Sequence, residues 1–451
     1  MLHHIRDKAA DALYRADRQD RFVEEVLAAI YPSGLDTAER AFLTELTYGT
    51  IRWRATLDHV IRRYRPRGRL KGRLRWILRV ALFQMGFLTN VPDRVAVDAA
   101  VEQAKSSFGS GGGRLANAIL RRAQSEWTQR PTLPQESPDP LRDVPCATGA
   151  VWRGPAGVFP DPSERRVANV ALRYSLPEWL LERWVAEHGE PRLIGLAEAQ
   201  NRRPGLHCWV DPAAGDPAAV RAALESDGIG SEPTGVGFRV TRGSGRVVGS
   251  VPFREGKILI QDETAATVVP FLEPEPGDRI LEIGAAPGTK TVQLARAVGG
   301  RGRVVAVDRS PRRLRLLQEN ARRFGLESRV DVVAADATAL PERWRGAFDR
   351  VLIDAPCSNT GVLARRPEAR WRLKPGDIAR LAEVQQAMLQ GGLRALRAGG
   401  GRLVYSTCSI ESEENGSVIR SVGDRAHAEA EELTLPDSRC DGGYKARLMK
   451  N

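Results

Sequence analysis

The chain has 451 residues, 42% of them hydrophobic, which is too long for one ordinary core and predicts two to four globular domains. No apolar run approaches the ~18 residues of a membrane span, residues 1–7 lack a signal-peptide core, and a cytoplasmic location is expected. Five scattered cysteines without a CxxC pair support neither a disulfide framework nor a zinc site, and the net charge of +12 favours a polyanionic partner.

Residues 1–128 read as an all-helical domain. Apolar positions recur at three- and four-residue spacing in Phe22, Val23, Val26, Leu27 and Ile30, in Phe42, Leu43, Leu46 and Tyr48, in Leu74, Ile77, Leu78 and Leu82, and in Leu115, Ala118 and Ile119. Asp36-Thr37-Ala38-Glu39 supplies capping chemistry, Pro92-Asp93 opens another helix, and residues 109–113 are expected as a flexible glycine turn. Between His59 and Pro92 there is no acidic residue. That stretch carries Arg62, Arg63, Arg65, Arg67, Arg69, Lys71, Arg73, Arg75 and Arg79, with Tyr64 and Trp76 interleaved. Most charge runs are solvated helix faces. Nine like charges without a local counter-charge point instead to nucleic acid, with Arg62, Arg63, Arg65, Arg67, Arg69, Lys71 and Arg73 as the candidate contacts.

Residues 129–165 hold eight prolines, which predict a semi-rigid linker without regular structure, with Cys146 as an incidental exposed thiol. Helical periodicity resumes at 164–172 and 177–184. Short β-prone pieces follow at 206–210, 238–240 and 257–260, so residues 166–260 predict a small α+β subdomain. From 261 to 451 strand and helix signals alternate. Strands at 279–283, 303–307, 330–333, 351–353 and 402–405, with helices at 289–297 and 311–324, predict a Rossmann-like α/β domain with a doubly wound, mostly parallel sheet.

Gly284-Ala285-Ala286-Pro287-Gly288-Thr289-Lys290 follows the first of these strands. It has neither the dinucleotide fingerprint nor P-loop spacing. Its small residues let a ligand approach the backbone, and Thr289 is suited to cap the next helix. Asp308 ends the second strand, where an acidic side chain accepts both hydroxyls of a ribose. Asp336 ends the third, within reach of an adenine amino group. That order suits S-adenosylmethionine; a nicotinamide enzyme is the rival, without a visible hydride partner, and turn-capping aspartates are the bland alternative.

Cys357, in Asp354-Ala355-Pro356-Cys357, and Cys408, in Tyr405-Ser406-Thr407-Cys408, each follow a β-like run. Ligands of open α/β sheets bind outside the carboxyl ends of the strands, so both thiols are expected at the crevice of the glycine loop. A thiolate adding to C6 of a pyrimidine makes C5 nucleophilic enough to take a methyl group. Asp354, if protonated or paired, would offset charge at N3 and the exocyclic amine, and a second thiol would assist release. An adenine N6 enzyme needs no thiol. One cysteine alone would read as a buried hydrophobe; two beside a cofactor loop read as chemistry.

These motifs resemble the RNA cytosine-C5 methyltransferases, specifically the bacterial small-subunit rRNA members of RsmB or Sun type, over nearly the whole chain. Residues 281–291 are similar to the family's cofactor motif, usually CAAPGGKT. Residues 354–361, and residues 405–410 with Glu413-Glu414-Asn415, are similar to its two cysteine motifs. Residues 39–49 resemble the RNA-binding domain shared with the antitermination factor NusB, and residues 171–179 the start of the family's middle segment. The resemblance implies that Cys408 is the nucleophile and that Cys357 promotes product release. It implies that Gly284, Ala285, Ala286, Pro287, Gly288, Thr289, Lys290, Asp308, Asp336 and Asp354 line the S-adenosyl-L-methionine site. A monomer acting without metal on free or partly assembled small-subunit rRNA is expected. A tRNA substrate and a non-catalytic antitermination-like factor are the alternatives. Gly284 stands where the family usually has Cys, Thr289 where it has Gly, and Arg366-Pro367 replaces a common His-Pro.

Overall fold

The computed structural model describes residues 2–31, 34–68, 70, 72–132, 137–146 and 149–451, in two compact units, Met1–Arg203 and Pro204–Asn451. Among the described residues no helix is long and apolar enough to cross a membrane.

The first unit opens with α1 (Leu2–Gln19), α2 (Val23–Ile30), α3 (Thr37–Arg52), α4 (Arg54–Tyr64), α5 (Gly72–Phe87) and α6 (Asp93–Glu126). The capping box forms at α3: Asp36 Oδ1 accepts from the Glu39 amide at 2.8 Å, and the Glu39 carboxylate accepts from the Asp36 amide at 3.1 Å. The glycine-rich 109–113 segment is not a turn. The break is confined to one residue: Gly109, at φ 71° and ψ −173°, is a kink between two helical stretches of α6, and residues 110–113 already belong to the second.

The basic run is less bare than its sequence suggests, because acids from other helices reach it. Arg79 is buried, paired twice with Asp58 at 2.8 and 2.6 Å, and its guanidinium lies 4.2 Å from the Trp76 ring centre. Arg73 pairs with Asp7 at 2.7 Å, and Arg63 approaches Glu126 at 3.5 Å. Trp76 is buried and offers no stacking face. Arg62, Arg65 and Arg67 have no ion pair among the described residues, whereas Arg69 and Lys71 lie outside those residues.

The proline-rich segment also departs from expectation. β1 (Thr128–Pro131), β2 (Asp143–Cys146) and β3 (Ala150–Arg153) form an antiparallel sheet in the order β1-β3-β2. Pro131 and Pro145 sit on its two edge strands, the positions where a missing N–H is tolerated. Trp152, on the central strand, packs at 4.5 Å between ring centres against Trp127. Cys146 is half-buried rather than exposed, and burial pushes its thiol up to about 12. α7 (Pro162–Arg173), α8 (Glu178–His188) and α9 (Leu193–Asn201) complete the unit. The expected 166–260 subdomain is thus divided at 203/204, its helices in the first unit and its strands in the second.

Those strands are β4 (Leu206–Val210), β5 (Gly230–Thr234), β6 (Gly237–Arg242) and β7 (Ile258–Ile260), antiparallel in the order β5-β6-β4-β7. The larger sheet comprises β8 (Arg279–Ile283), β9 (Arg303–Asp308), β10 (Val330–Ala334), β11 (Arg350–Asp354), β12 (Arg402–Thr407), β13 (Ala426–Thr434) and β14 (Gly443–Lys450). Its order is β10-β9-β8-β11-β12-β14-β13, with β8 to β12 parallel and β14 antiparallel to both neighbours. Alternate residues face opposite sides, as pleating requires. Leu281, Val305, Ile353 and Leu403 pack on one face with Leu389 and Leu393, and Ile280, Val304, Leu352 and Val404 on the other with Val292 and Leu294. The connection direction reverses between β8 and β11. That switch point is where an open α/β sheet leaves a crevice for a ligand.

Candidate active site

At the switch point Gly284 leaves β8 with φ +79°, and a Cβ there would stand 2.2 Å from the Asp354 carbonyl oxygen at the end of β11. The close approach of the two strand ends therefore favours glycine. Gly288, not Thr289, stands at the N-cap of the helix Thr289–Ala297, and it supplies no side-chain cap. Asp308 is buried. Its carboxylate accepts from the Ala286 amide at 3.3 Å and the Ser310 amide at 2.9 Å, tying the loop to the end of β9. Asp336 behaves differently: it is exposed and accepts from the amide and hydroxyl of Thr338 at 2.9 and 2.8 Å. Those bonds hold its carboxyl below the usual carboxylate range, and its contacts are those of a turn residue.

Asp354 receives the Lys290 ammonium at 2.7 Å. Burial alone would lower the pKa of Lys290, but the charges of Asp354 and Glu282 more than reverse it, so the ammonium persists. The two thiols meet: Cys357 Sγ and Cys408 Sγ lie 3.0 Å apart, both half-buried and not joined in a disulfide. Asn359, at φ +63°, places Oδ1 3.4 Å from Cys408 Sγ while its Nδ2 donates to the Cys357 carbonyl at 2.9 Å. The pKa of Cys357 is raised well above that of a free thiol, first by its hydrogen bond to Cys408, then by burial and by the nearby charges of Cys408 and Glu414. Cys408 lines an open cavity of ≈ 80 Å³ together with Lys290, Asp354, Thr264, Asp262 and Tyr444; Cys357 is not among its lining residues. Arg365 braces the outer wall, pairing with Asp262 at 2.7 Å and with Asp441.

Comparison with known proteins bears on this arrangement. The family model for the 16S rRNA methyltransferase RsmB/F matches residues 269–446, and the NusB family model matches residues 3–125. A ribosomal RNA small subunit methyltransferase B from Erwinia tasmaniensis is 31% identical, covering 100% of this chain and 99% of that protein. A protein of the same description from Vibrio cholerae is 30% identical over 99% and 93%. The chain belongs to the RsmB/F methyltransferase family. It is an S-adenosylmethionine-dependent RNA methyltransferase with a NusB-like helical domain. The crystal structure of PH0851, 24% identical, shares its fold with a TM-score of 0.76, covering 98% of this chain and 99% of that one.

One feature of the cofactor crevice was missed in the sequence. Glu282 is fully buried in β8. Its Oε2 accepts from the Thr291 hydroxyl at 2.5 Å, whereas Oε1 has no partner among the described residues. An acid inside the apolar run Arg279-Ile280-Leu281-Glu282-Ile283 was the signal available. An orphaned buried carboxyl oxygen beside the glycine loop fits a ligand carrying an ammonium group, as S-adenosylmethionine does.

Burial pushes the Glu282 carboxyl up to about 8, against the opposing bond from Thr291. The folded chain therefore keeps a proton that the unfolded chain loses near pH 4.5. The stability this group contributes is complete below about pH 4.5 and is lost as pH rises to about 8. Glu282→Gln cannot ionise. Relative to wild type it should gain on the order of a few kcal/mol between pH 5 and pH 8, read as diverging thermal midpoints. Parallel midpoint curves would contradict the buried-acid assignment.

Proposed function

We propose that the chain methylates C5 of a cytidine in small-subunit rRNA through a transient bond between Cys408 Sγ and C6 of the base. The observation that carries this reading is a thiol in the wall of a cavity, beside a Lys–Asp ion pair, with a second thiol 3.0 Å behind it. Chemistry at an exocyclic amine has no use for that pair of sulfurs.

S-adenosylmethionine, held by residues 284–290, Asp308 and Glu282, supplies an electrophilic methyl group. The rest falls to side chains of the chain. The Cys408 thiolate adds to C6, and the C5–C6 electron pair becomes available at C5. The Asp354 carboxylate is suited to accept from the exocyclic amine of cytosine, and the Lys290 ammonium to offset the charge that develops on N3. Uracil, which presents a carbonyl in place of that amine, would leave Asp354 facing an acceptor. After C5 is methylated its proton passes to solvent in the open cavity, the C5–H electron pair restores the C5–C6 double bond, and the C6–S pair leaves with Cys408 as thiolate. Asp336, exposed and engaged in its own turn, is left with at most a peripheral part in holding the adenosine.

The base must leave its stack to reach the cavity, at a cost of a few kcal/mol that is smaller for an unpaired nucleotide. Arg62, Arg65, Arg67 and Arg75 are the described arginines of the basic run without an ion pair, which leaves their charge for phosphate, and binding through them would weaken with salt. The names of the relatives favour rRNA over tRNA as substrate, and the setting that follows is the cytoplasm, where the chain acts as a monomer on free or partly assembled subunits.

Bisulfite sequencing of total RNA from cells with and without the gene tests the reading, because 5-methylcytidine resists deamination. One protected cytidine in small-subunit rRNA should disappear with the gene. Loss of protection in tRNA would reassign the substrate, and unchanged protection everywhere would remove the proposal.

A further inference from the structure

We propose that Glu414 is a positioning residue that binds the two cysteine loops to each other and sets a negative charge behind Cys357, leaving Cys408 as the reactive thiol. The inference rests on the covalent reading above for its meaning in turnover, though not for its geometry.

Ser358 follows Cys357 and Ser409 follows Cys408, and one carboxylate holds both. Glu414 Oε1 accepts from the Ser358 amide at 2.9 Å and from Gln385 Nε2 at 3.0 Å. Its Oε2 accepts from the Ser409 hydroxyl at 2.5 Å and from the Ser358 hydroxyl. Gln385, on the helix Pro375–Ala395, also donates to the Pro356 carbonyl at 2.8 Å, so the loop before Cys357 is fixed by the same group. Glu414, Gln385 and Ser409 are wholly buried. The Gly361 amide donates to the Cys408 carbonyl at 3.0 Å, and the Ile410 amide to the Thr360 hydroxyl at 3.1 Å, which continues the seam between the loops. Neither loop is a regular element, so without this seam nothing periodic in the backbone would fix the gap between the sulfurs.

Four donors converge on Glu414, an environment that suits an ionised carboxylate despite its burial. Burial raises its pKa, and the bonds from Ser358, Ser409 and Gln385 offset that rise only in part. The two sulfurs therefore lie in opposite fields. Cys357 is disfavoured as a thiolate first by its hydrogen bond to Cys408 and by burial, and then by the negative charges of Cys408 and Glu414. Cys408 interacts favourably with the Lys290 ammonium, itself paired with Asp354. The two thiols, 3.0 Å apart, thus have an anion behind Cys357 and a cation beside Cys408, which is the arrangement a helper and a nucleophile need.

Glu414→Gln keeps the shape, the acceptor for Ser358 N–H and Gln385, and the contacts to both hydroxyls, while removing the charge. The double variant Ser358→Ala/Ser409→Ala keeps the charge and removes the hydroxyl ties. The first readout is alkylation of the full chain by iodoacetamide without RNA, mapped by mass spectrometry between pH 6 and 9. Wild type should alkylate Cys408 about 10-fold faster than Cys357, and Glu414→Gln should raise the Cys357 rate at least about 3-fold with Cys408 little changed. The second is turnover: both variants should lose at least about 10-fold in kcat while KM for RNA and for S-adenosylmethionine stays within about twofold. An unchanged Cys357 rate together with an unchanged kcat in folded Glu414→Gln overturns the proposal. Should that variant fail to fold, an unchanged kcat in the serine double variant overturns it, and a lowered kcat at constant KM supports it. Failure of the covalent reading would show separately, as wild-type protein that traps no adduct on RNA containing 5-fluorocytidine.

Discussion

Replacement of Cys408 by alanine is expected to lower methyl transfer by at least about 10³-fold, or about 4 kcal/mol of barrier, with fold and cofactor affinity intact. The reason lies in the substrate: C5 of cytosine is a poor nucleophile until a sulfur occupies C6. None of the other cavity residues can replace that sulfur. Lys290 is a cation held by Asp354, and Thr264 and Tyr444 present hydroxyls, with the Tyr444 phenol raised by burial and donating to Glu431 at 2.5 Å. Cys408→Ser should be nearly as inactive, because a hydroxyl needs a base to ionise it and the Asp354 carboxylate of the cavity is already engaged by the Lys290 ammonium at 2.7 Å. The structural loss is small: one thiol contact to Asn359 at 3.4 Å and one to Cys357 at 3.0 Å, worth about 1 kcal/mol at most. Methyl incorporation from labelled S-adenosylmethionine, thermal midpoint and cofactor Kd together check this. Alanine-variant activity within tenfold of wild type would end the covalent mechanism.

The parallel core of the second unit was legible because its strands are buried on both faces and read as runs of Val, Ile and Leu. Arg350-Val351-Leu352-Ile353 and Arg402-Leu403-Val404-Tyr405 are the clearest, and each delivers a cysteine motif to the crevice. The final hairpin was not legible. β13 is an edge strand, Ala426–Thr434, dominated by His and Glu on solvent-facing positions, so no apolar alternation marks it. Prolines misled in the opposite way: at Pro131 and Pro145 they mark sheet edges, yet in a sequence they signal only a break. The basic run misled because charge compensation is spatial. Arg79 finds Asp58 twenty-one residues away and Arg73 finds Asp7 sixty-six residues away, separations that no local window joins. The same limit hid the role of Glu414, named in the sequence only within the second cysteine motif, because its partners Ser358 and Gln385 stand 56 and 29 residues from it. Motifs announce which side chains reach a crevice; the groups that orient them come from wherever the fold brings them.

Cys357→Ala is expected to separate the two halves of the reaction that Cys408→Ala stops together. Addition to C6 and methylation of C5 rest on Cys408, Lys290 and Asp354, which stay in place; the substitution removes only the thiol contact to Cys408. Release requires Cys408 to depart as a thiolate, and a departing sulfur is stabilised by a donor within hydrogen-bond distance. Cys357 is that donor: its sulfur is 3.0 Å away, and the raised pKa keeps its proton in place across neutral pH. Without it, breakage of the C6–S bond should slow by about 10²-fold or more, within the span assigned to positioned proton donors. Single-turnover methylation should stay within a few-fold of wild type while steady-state turnover falls. A protein–RNA adduct should then accumulate, visible as a band resistant to denaturant and sensitive to nuclease. Cys357→Ser, which restores a donor at the same place, should release the adduct faster than alanine does. Full turnover by the alanine variant without any adduct would show that Cys408 leaves unaided. An adduct that persists equally with serine would show that the sulfur itself, rather than its proton, does the work.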